Sequence, residues 1–256
     1  MTDPGPQEQA PQRVVTWRAV LVGALCVVFI SIGAPFGSIK MRGSYMALDF
    51  SLPAAVFTMF LLSLLVSLVR VATRGRSLLN RSEMLVAYSM MAVATAICTM
   101  GLTAYILPML GTQVYYASPE NRWQEVLLPK TPEWIMLSRE GVGADVIRFF
   151  YEGWQAKGIT LVDVVATWGP PLGYWGIFLL ALYATSISLM AIFRKQWVED
   201  ERIVFPLVQL PMELAGQPEK PGDRVTPLFK SKLLWIGFAV PFIFCTLKAL
   251  PAYFPY

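Results

Sequence analysis

Long uncharged stretches, separated by short clusters of charged residues, are the dominant pattern along the chain. They cover residues 19–39, 50–69 and 84–107, the stretch between Asp163 and Arg194, and the residues that follow Lys232. About 20 apolar residues cross the hydrocarbon core of a bilayer as a helix. The pattern therefore predicts an all-α, polytopic membrane protein with about five transmembrane helices.

Three of these helices carry signals at their ends. The fourth is expected to start near Pro170 and Pro171, because proline is tolerated in the first turn of a helix. In the fifth, Lys248 interrupts the apolar stretch, but a lysine can extend its ammonium group to the interface. At the start of the third, Ser82 is expected to cap the helix, and the Glu83 carboxylate favours the helix dipole.

The composition supports a membrane protein and excludes several kinds of metal site and active site. Of the 256 residues, 55% are hydrophobic and 15% are charged, whereas about 25% are charged in a soluble domain. The chain has no histidine, which excludes His-ligated metal sites and Ser-His-Asp catalysis within it. Cys26, Cys98 and Cys245 lie in apolar stretches without metal-ligand spacing, so we expect packing residues and no cofactor.

The distribution of Lys and Arg predicts the orientation. The short loop at 70–81 carries four arginines and no acidic residue, and cytoplasmic loops are enriched in Lys and Arg. The N-terminus is therefore expected inside and the C-terminus outside, in a multi-pass protein of the bacterial cytoplasmic (inner) membrane. The net charge of +4 is not gathered into one basic stripe, so the expected partner is the bilayer and not nucleic acid.

These criteria divide the chain into six parts. They are a disordered cytoplasmic tail at 1–16, transmembrane helices 1–3 at 17–109, an outer cap at 110–168, transmembrane helix 4 at 169–194, a cytoplasmic or re-entrant segment at 195–231, and transmembrane helix 5 at 232–256, which the end of the chain is expected to truncate.

The outer segment, residues 110–168, is too long for a plain connection. Three prolines divide it, so we expect short helices that form an ordered cap on the periplasmic or extracellular face. Its acidic residues fit a solvated surface. The alternative is a pair of catalytic carboxylates such as Asp145 and Glu152, but no sequence motif supports it.

The inner segment contains an apolar stretch, 203–215, that is too short to cross a bilayer and contains Pro206 and Pro211. Two structures fit this pattern. One is an amphipathic helix on the cytoplasmic surface, anchored by Trp197 and Phe205. The other is a re-entrant segment of the kind that exposes backbone groups in many transporters. In the second helix, Ser63 and Ser67 have a small-xxx-small spacing that favours close helix packing.

Several short runs resemble a family of large bacterial polytopic membrane proteins classed as a domain of unknown function. The runs are Ser118-Pro119-Glu120-Asn121-Arg122-Trp123, Phe150-Tyr151-Glu152-Gly153, Trp197-Val198-Glu199-Asp200-Glu201-Arg202, Phe205-Pro206 and Gln209-Leu210-Pro211. The resemblance implies that this chain matches only the N-terminal part of longer members. An arginine-rich helix end followed by acids and Phe-Pro is also distantly similar to an inner motif of oligopeptide transporters.

Three functions of different classes remain open. The first is part of a secondary transporter for a small polar solute of unknown identity. The second is a non-transporting subunit or scaffold of a larger membrane complex, bound to a protein partner or to itself. The third, an enzyme, is the least favoured, since no catalytic residue is identified. The candidate substrate-binding residues are Glu199, Glu201, Arg202, Gln209 and Glu213, and the motif residues with structural roles are Trp197, Phe205, Pro206, Pro211, Tyr151 and Glu152.

Overall fold

The computed structural model describes residues 15–41, 43, 45–47, 52–98, 100, 102–138, 141–153, 158–216 and 224–254. The predicted N-terminal tail lies outside these ranges except for residues 15 and 16. Every regular element within them is helical, which confirms the all-helical prediction. The helices are α1 (Trp17–Pro35), α2 (Pro53–Ala72), α3 (Arg81–Ile97), α4 (Thr103–Tyr115), α5 (Trp123–Val126), α6 (Val142–Glu152), α7 (Leu161–Arg194), α8 (Pro206–Leu214), α9 (Pro227–Lys230) and α10 (Lys232–Tyr253).

Three of the helices are long and apolar enough to cross a membrane, when the described residues are searched. They are α1 with its π-type extension, Trp17–Lys40, then α2, Pro53–Ala72, and α7 with its extension, Leu161–Asp200. They coincide with the first, second and fourth uncharged stretches of the sequence. The chain is therefore compatible with a membrane protein, while the count of five crossings and the orientation stay predictions.

The third uncharged stretch forms two helices, so the prediction of a single helix over 84–107 is wrong. α3 ends at Ile97, Cys98 has extended backbone angles (φ −68°, ψ 148°), and α4 begins at Thr103. The intervening sequence includes Thr99 and Gly101, two weak helix formers. An uncharged stretch shows that the segment can cross a bilayer without burying a charge. It does not show that the segment forms one continuous helix.

The predicted start of the fourth helix near Pro170 and Pro171 is also wrong, because α7 begins ten residues or so earlier, at Leu161. A capping box sets this start. The Asp163 N–H donates to Thr160 Oγ1 over 3.3 Å, and the Thr160 N–H donates to the Asp163 carboxylate over 2.9 Å. These reciprocal bonds satisfy two amides that have no partner within the helix, and the helix then continues through both prolines.

The helices form two compact units, of which the first contains residues 1–103 and 205–256. Within it α1 and α3 run parallel. Thr16 at the start of α1 contacts Glu83 at the start of α3, and Ser31 near the end of α1 accepts a hydrogen bond from Cys98 just past the end of α3. Between these points the helices approach closely at Gly23, where an added Cβ atom would lie 3.3 Å from the Ala87 Cα.

The starts of α1 and α3 are held by one group of hydrogen bonds. The Thr16 hydroxyl donates to Glu83 Oε1 over 2.6 Å and accepts from the Ala19 N–H over 3.2 Å. The other Glu83 oxygen accepts the Asn80 N–H over 2.8 Å. Asn80, and not Ser82, is therefore the N-cap of α3, in a capping box with Glu83.

The second unit, residues 104–204, contains α4, α5, α6 and α7 together with a 3-10 turn at Leu128–Lys130. Leu137, Val146 and Ile147 are almost fully buried there. α6 packs on α7, with the rings of Phe150 and Trp168 centred 5.0 Å apart. Most of α7 beyond this contact is exposed.

Candidate functional site

The short helix α8 forms where the sequence predicted a proline-broken segment. It is nine residues long, with Pro206 at its first position and Pro211 inside it. Pro206 fits there because the first N–H of a helix has no internal acceptor in any case. Pro211, Leu214 and Ala215 are buried, and α8 packs against α2 and α3. A helix of this length spans only about half of a bilayer core.

The buried C-terminal end of α8 is held by hydroxyl groups. Ser63 Oγ of α2 donates to the Leu214 carbonyl oxygen over 2.6 Å. Thr226 Oγ1 lies 3.3 Å from Ser67 Oγ and 3.3 Å from the Gly216 carbonyl oxygen. The last carbonyls of a helix have no partner within it, so these hydroxyls supply hydrogen bonds where water would otherwise be needed.

The polar face of α2 continues beyond these two serines. Thr58, Ser63, Ser67 and Arg70 are all buried on a helix that is otherwise apolar. The guanidinium of Arg70, 4% exposed, donates to Ser77 Oγ over 2.9 Å. A line of hydroxyls thus runs along α2 from the end of α8 to a buried cation.

The predicted substrate-binding residues are distributed over both units. Glu199, Glu201 and Arg202 lie in the second unit, at and just beyond the π-type turn that ends α7, and all three are exposed. Gln196 donates to Glu201 over 2.8 Å, and Arg202 has a left-handed backbone with φ 52°. Their side chains therefore lie on the surface of that unit.

The other two candidates lie in the first unit. Gln209 and Glu213 are exposed and stand four residues apart on α8, so they share one face of that helix. The aromatic motif residues also have defined places. Trp197 stacks on Phe193 with ring centres 5.3 Å apart, and Phe205, at the N-cap of α8, is exposed.

Tyr151, a motif residue of the outer segment, joins α6 to α4. Its hydroxyl donates to the Pro108 carbonyl oxygen over 2.7 Å and lies 3.1 Å from Thr112 Oγ1. Its ring stacks on Tyr115 with centres 4.3 Å apart. Gly111 makes room for this ring, because a Cβ atom there would lie 3.0 Å from Tyr151 Cε2.

A polar cleft of about 760 Å³ opens beside this contact. Arg148 and Glu152, one turn apart on α6, line it together with Gln124 and Tyr115. The Tyr115 hydroxyl donates to Glu152 Oε1 over 3.1 Å, and this hydrogen bond to a carboxylate raises the pKa of Tyr115. The cleft offers a cation, an anion and two neutral hydrogen-bonding groups, which is a suitable set for a small polar molecule.

Comparison with models of known protein families assigns the chain to one family. The model of a family of unknown function, DUF6785, matches residues 9–256, which is nearly the whole sequence. The chain belongs to this family. No curated protein and no solved structure matched it. The predicted membership of a family of unknown function is therefore confirmed, whereas the likeness to oligopeptide transporters and the bacterial source stay predictions.

The sequence did not reveal the role of the hydroxyl groups that hold the end of α8, those of Ser63, Ser67 and Thr226. Thr226 gave no signal, because an isolated threonine between Val225 and Pro227 matches no motif. Ser63 and Ser67 did give one, through their spacing of four, but that spacing predicts close helix packing and does not reveal which carbonyls the hydroxyls reach. Among the described residues, no group of three Cys, Asp or Glu side chains is placed to hold a metal ion.

The close fit between Gly111 and Tyr151 predicts that a larger side chain at position 111 lowers the stability of this chain. Gly111→Val should push the Tyr151 ring away from Pro108 and lower the free energy of unfolding by roughly 1–3 kcal/mol, as overpacking does. Thermal unfolding in mild detergent measures the change. Gly173→Val on α7 is the matched control, since a Cβ atom there meets nothing within 4 Å. If both variants lose the same stability, the loss comes from replacing a helix glycine and not from the contact with Tyr151.

Proposed function

We propose that the chain is part of a secondary transporter for a small polar solute. The observation that carries the proposal is the short helix α8, whose C-terminal end is buried against α2. Its Leu214 carbonyl accepts a hydrogen bond from Ser63, and the Gly216 carbonyl just beyond the helix accepts one from Thr226. Secondary transporters use discontinuous helices to present backbone groups near their substrate and ion sites. Irregular backbone at membrane depth is tolerated only where protein or a water-filled cavity surrounds it.

The proposal gives the polar residues near α8 separate roles. Ser63, Ser67 and Thr226 hold the end of α8 by neutral hydrogen bonds, which cost little to exchange for contacts with a solute. Gln209 and Glu213, on the exposed face of the same helix, supply groups that can bind the solute. Glu199, Glu201 and Arg202 belong to the second unit and stay candidates for solute binding on the sequence pattern alone.

The proposed topology has five crossings, with the N-terminus inside and the C-terminus outside, in the cytoplasmic membrane. The parallel course of α1 and α3 supports a crossing in the part of α3 that follows Glu83, because this part lies along α1. The 22 residues of α10 are enough for the fifth. The four arginines at 70–81 support the orientation.

Uptake into proteoliposomes tests the proposal. The full chain is reconstituted, and labelled alanine, dialanine and succinate are offered under an inward Na⁺ or H⁺ gradient. We expect uptake of at least one probe above protein-free liposomes. Ser63→Ala, which leaves the Leu214 carbonyl without its donor, should lower the initial rate about tenfold, and Gln209→Ala should also lower it.

Ser89→Ala is the matched control for this experiment. Its hydroxyl donates only to the Leu85 carbonyl of its own helix and is exposed, so its loss should leave uptake unchanged. If the reconstituted protein is monodisperse and takes up none of the three probes under either gradient, the transporter proposal is rejected. If Ser63→Ala and Ser89→Ala lower the uptake rate equally, the hydrogen bond from Ser63 to the end of α8 has no role in transport.

One observation favours a second function, a non-transporting subunit of a larger complex. Only Thr167, Trp168 and Pro171 are buried along the 34 residues of α7, so its apolar surface is available to a partner helix or to lipid. Native mass spectrometry after gentle extraction distinguishes these cases. A stable hetero-complex supports the subunit function, whereas a monomer that transports rejects it.

A further inference from the structure

An apolar groove of about 580 Å³ runs between α1 and α2 in the first unit. Its walls are leucine, valine and aromatic side chains, among them Leu21, Leu25 and Phe29 of α1 and Leu61 and Leu65 of α2. These five side chains are more than a third exposed, so the groove is open along the side of the two candidate spans. An open groove of this kind in a bilayer is filled by a hydrocarbon chain.

One end of the groove carries a positive charge. Arg18 lines that end together with Trp17, and its guanidinium donates to the Leu78 carbonyl oxygen. This bond fixes the side chain but uses only one of the five N–H donors of a guanidinium. Arg18 is exposed, so its charge is accessible from outside the protein.

The loop that receives this bond adds further cations. Arg74 and Arg76 are exposed on the same connection between α2 and α3 that contains Leu78. Among the residues that the structure describes, Glu83 is an acidic residue near Arg18, but its carboxylate is buried and already accepts hydrogen bonds from Thr16 and Asn80. The accessible charge at this end of the groove is therefore positive.

We infer that the groove is a binding site for an anionic phospholipid. The acyl chain lies between α1 and α2, and the headgroup phosphate is held by Arg18 with help from Arg76. Basic pockets between transmembrane helices on the cytoplasmic side bind anionic headgroups, and a guanidinium can bind phosphate oxygens with two parallel hydrogen bonds. The exposed Trp17 ring at the mouth suits the headgroup level of a bilayer. This inference rests on the proposed membrane topology and not on transport.

Lipid titration with native mass spectrometry tests the site in the full chain. The probes are phosphatidylglycerol and phosphatidylcholine with identical acyl chains. We expect phosphatidylglycerol to bind about fivefold more tightly, the factor that one cation near the headgroup contributes. Arg18→Gln should abolish this preference and leave phosphatidylcholine binding nearly unchanged. Arg122→Gln, the same change at an exposed, ion-paired site of the second unit, should leave the preference intact.

A second pair of variants tests the hydrocarbon part of the site. Leu25→Trp fills the groove and should weaken the binding of both lipids at least fivefold, whereas Leu68→Trp, on an exposed part of α2 that does not line the groove, should not. Equal affinity for both lipids, or equal effects of Arg18→Gln and Arg122→Gln, overturns the inference. So does a dimer that Leu25→Trp dissociates, because the groove is then occupied by a second copy of the chain. Monodisperse elution of each variant shows that it has folded.

Discussion

Replacement of Gly23 by valine is expected to separate α1 from α3 and to lower the free energy of unfolding of the chain. A Cβ atom at this position would lie 2.5 Å from Met90 Sδ and 3.3 Å from the Ala87 Cα. The thioether can rotate away, but the Ala87 backbone cannot. The two further methyl groups of valine therefore force the helices apart, at a cost of roughly 2–3 kcal/mol.

The measurement is the unfolding temperature of the purified chain in mild detergent. Gly33→Val is the matched control, because it places the same side chain in the same helix where nothing lies within 4 Å of the added Cβ. Valine is the better helix former, so this control should be neutral or slightly stabilising. A loss in Gly33→Val as large as that in Gly23→Val would show that α1 and α3 are not in close contact there.

Glu83→Ala should have an effect of similar size for a different reason. Glu83, 4% exposed, lies in the first turn of α3, outside the three candidate spans. Its removal leaves the Asn80 N–H and the Thr16 hydroxyl without acceptors at two helix starts. Hydrogen bonds to a charged group contribute about 1.5–3 kcal/mol, so we expect a loss of about 2–3 kcal/mol in thermal unfolding. Glu125→Ala, in an exposed pair with Arg122, should change stability little.

The same carboxylate should make stability depend on pH. Burial disfavours its charged form, but the hydrogen bonds from Thr16 and Asn80, with the charge of Arg18, outweigh burial and lower the pKa of Glu83 in the folded chain. The unfolded chain therefore binds the proton more readily. The stabilisation from Glu83 is fully present above the ordinary pKa of about 4.5 and is lost as the pH falls below it.

Glu83→Gln checks this pH dependence. Glutamine keeps a hydrogen-bonding group at the third position of the capping box but has no charge to titrate. Its unfolding temperature should fall less steeply than that of the unchanged chain when the pH is lowered from about 6 to 3. Parallel pH profiles for the two proteins would assign the acid sensitivity to other carboxyl groups.

The parts of this fold that the sequence predicts are those fixed by local composition. An uncharged helix-length stretch gives α1, α2 and α7, and an apolar run with two prolines gives a segment too short to span. The Asn80-x-x-Glu83 spacing fits a capping box, although the prediction placed the cap at Ser82. Each of these features depends on neighbours within a few residues.

The remaining features depend on partners that are distant in the sequence. Gly23 resembles any other helix glycine until Ala87 is placed beside it, and Ser63 has no visible acceptor until the end of α8, 151 residues later, packs against it. The break between α3 and α4 escaped notice because hydropathy measures the cost of burial and not backbone continuity. The candidate site shares this limit, since the hydroxyls that hold α8 belong to α2 and to Thr226.

The parallel pairing of α1 with α3 has a consequence for biogenesis. The contacts between Thr16 and Glu83 and between Ser31 and Cys98 both join residues 67 positions apart. At synthesis rates of about 5–20 residues per second, α1 leaves the ribosome roughly 3–13 s before the helix that covers Ala19, Gly23 and Ile30. In the proposed membrane topology, the face of α1 that contains Ala19 and Gly23 lies against lipid or the insertion machinery during that interval, and α2 inserts before α1 meets its partner.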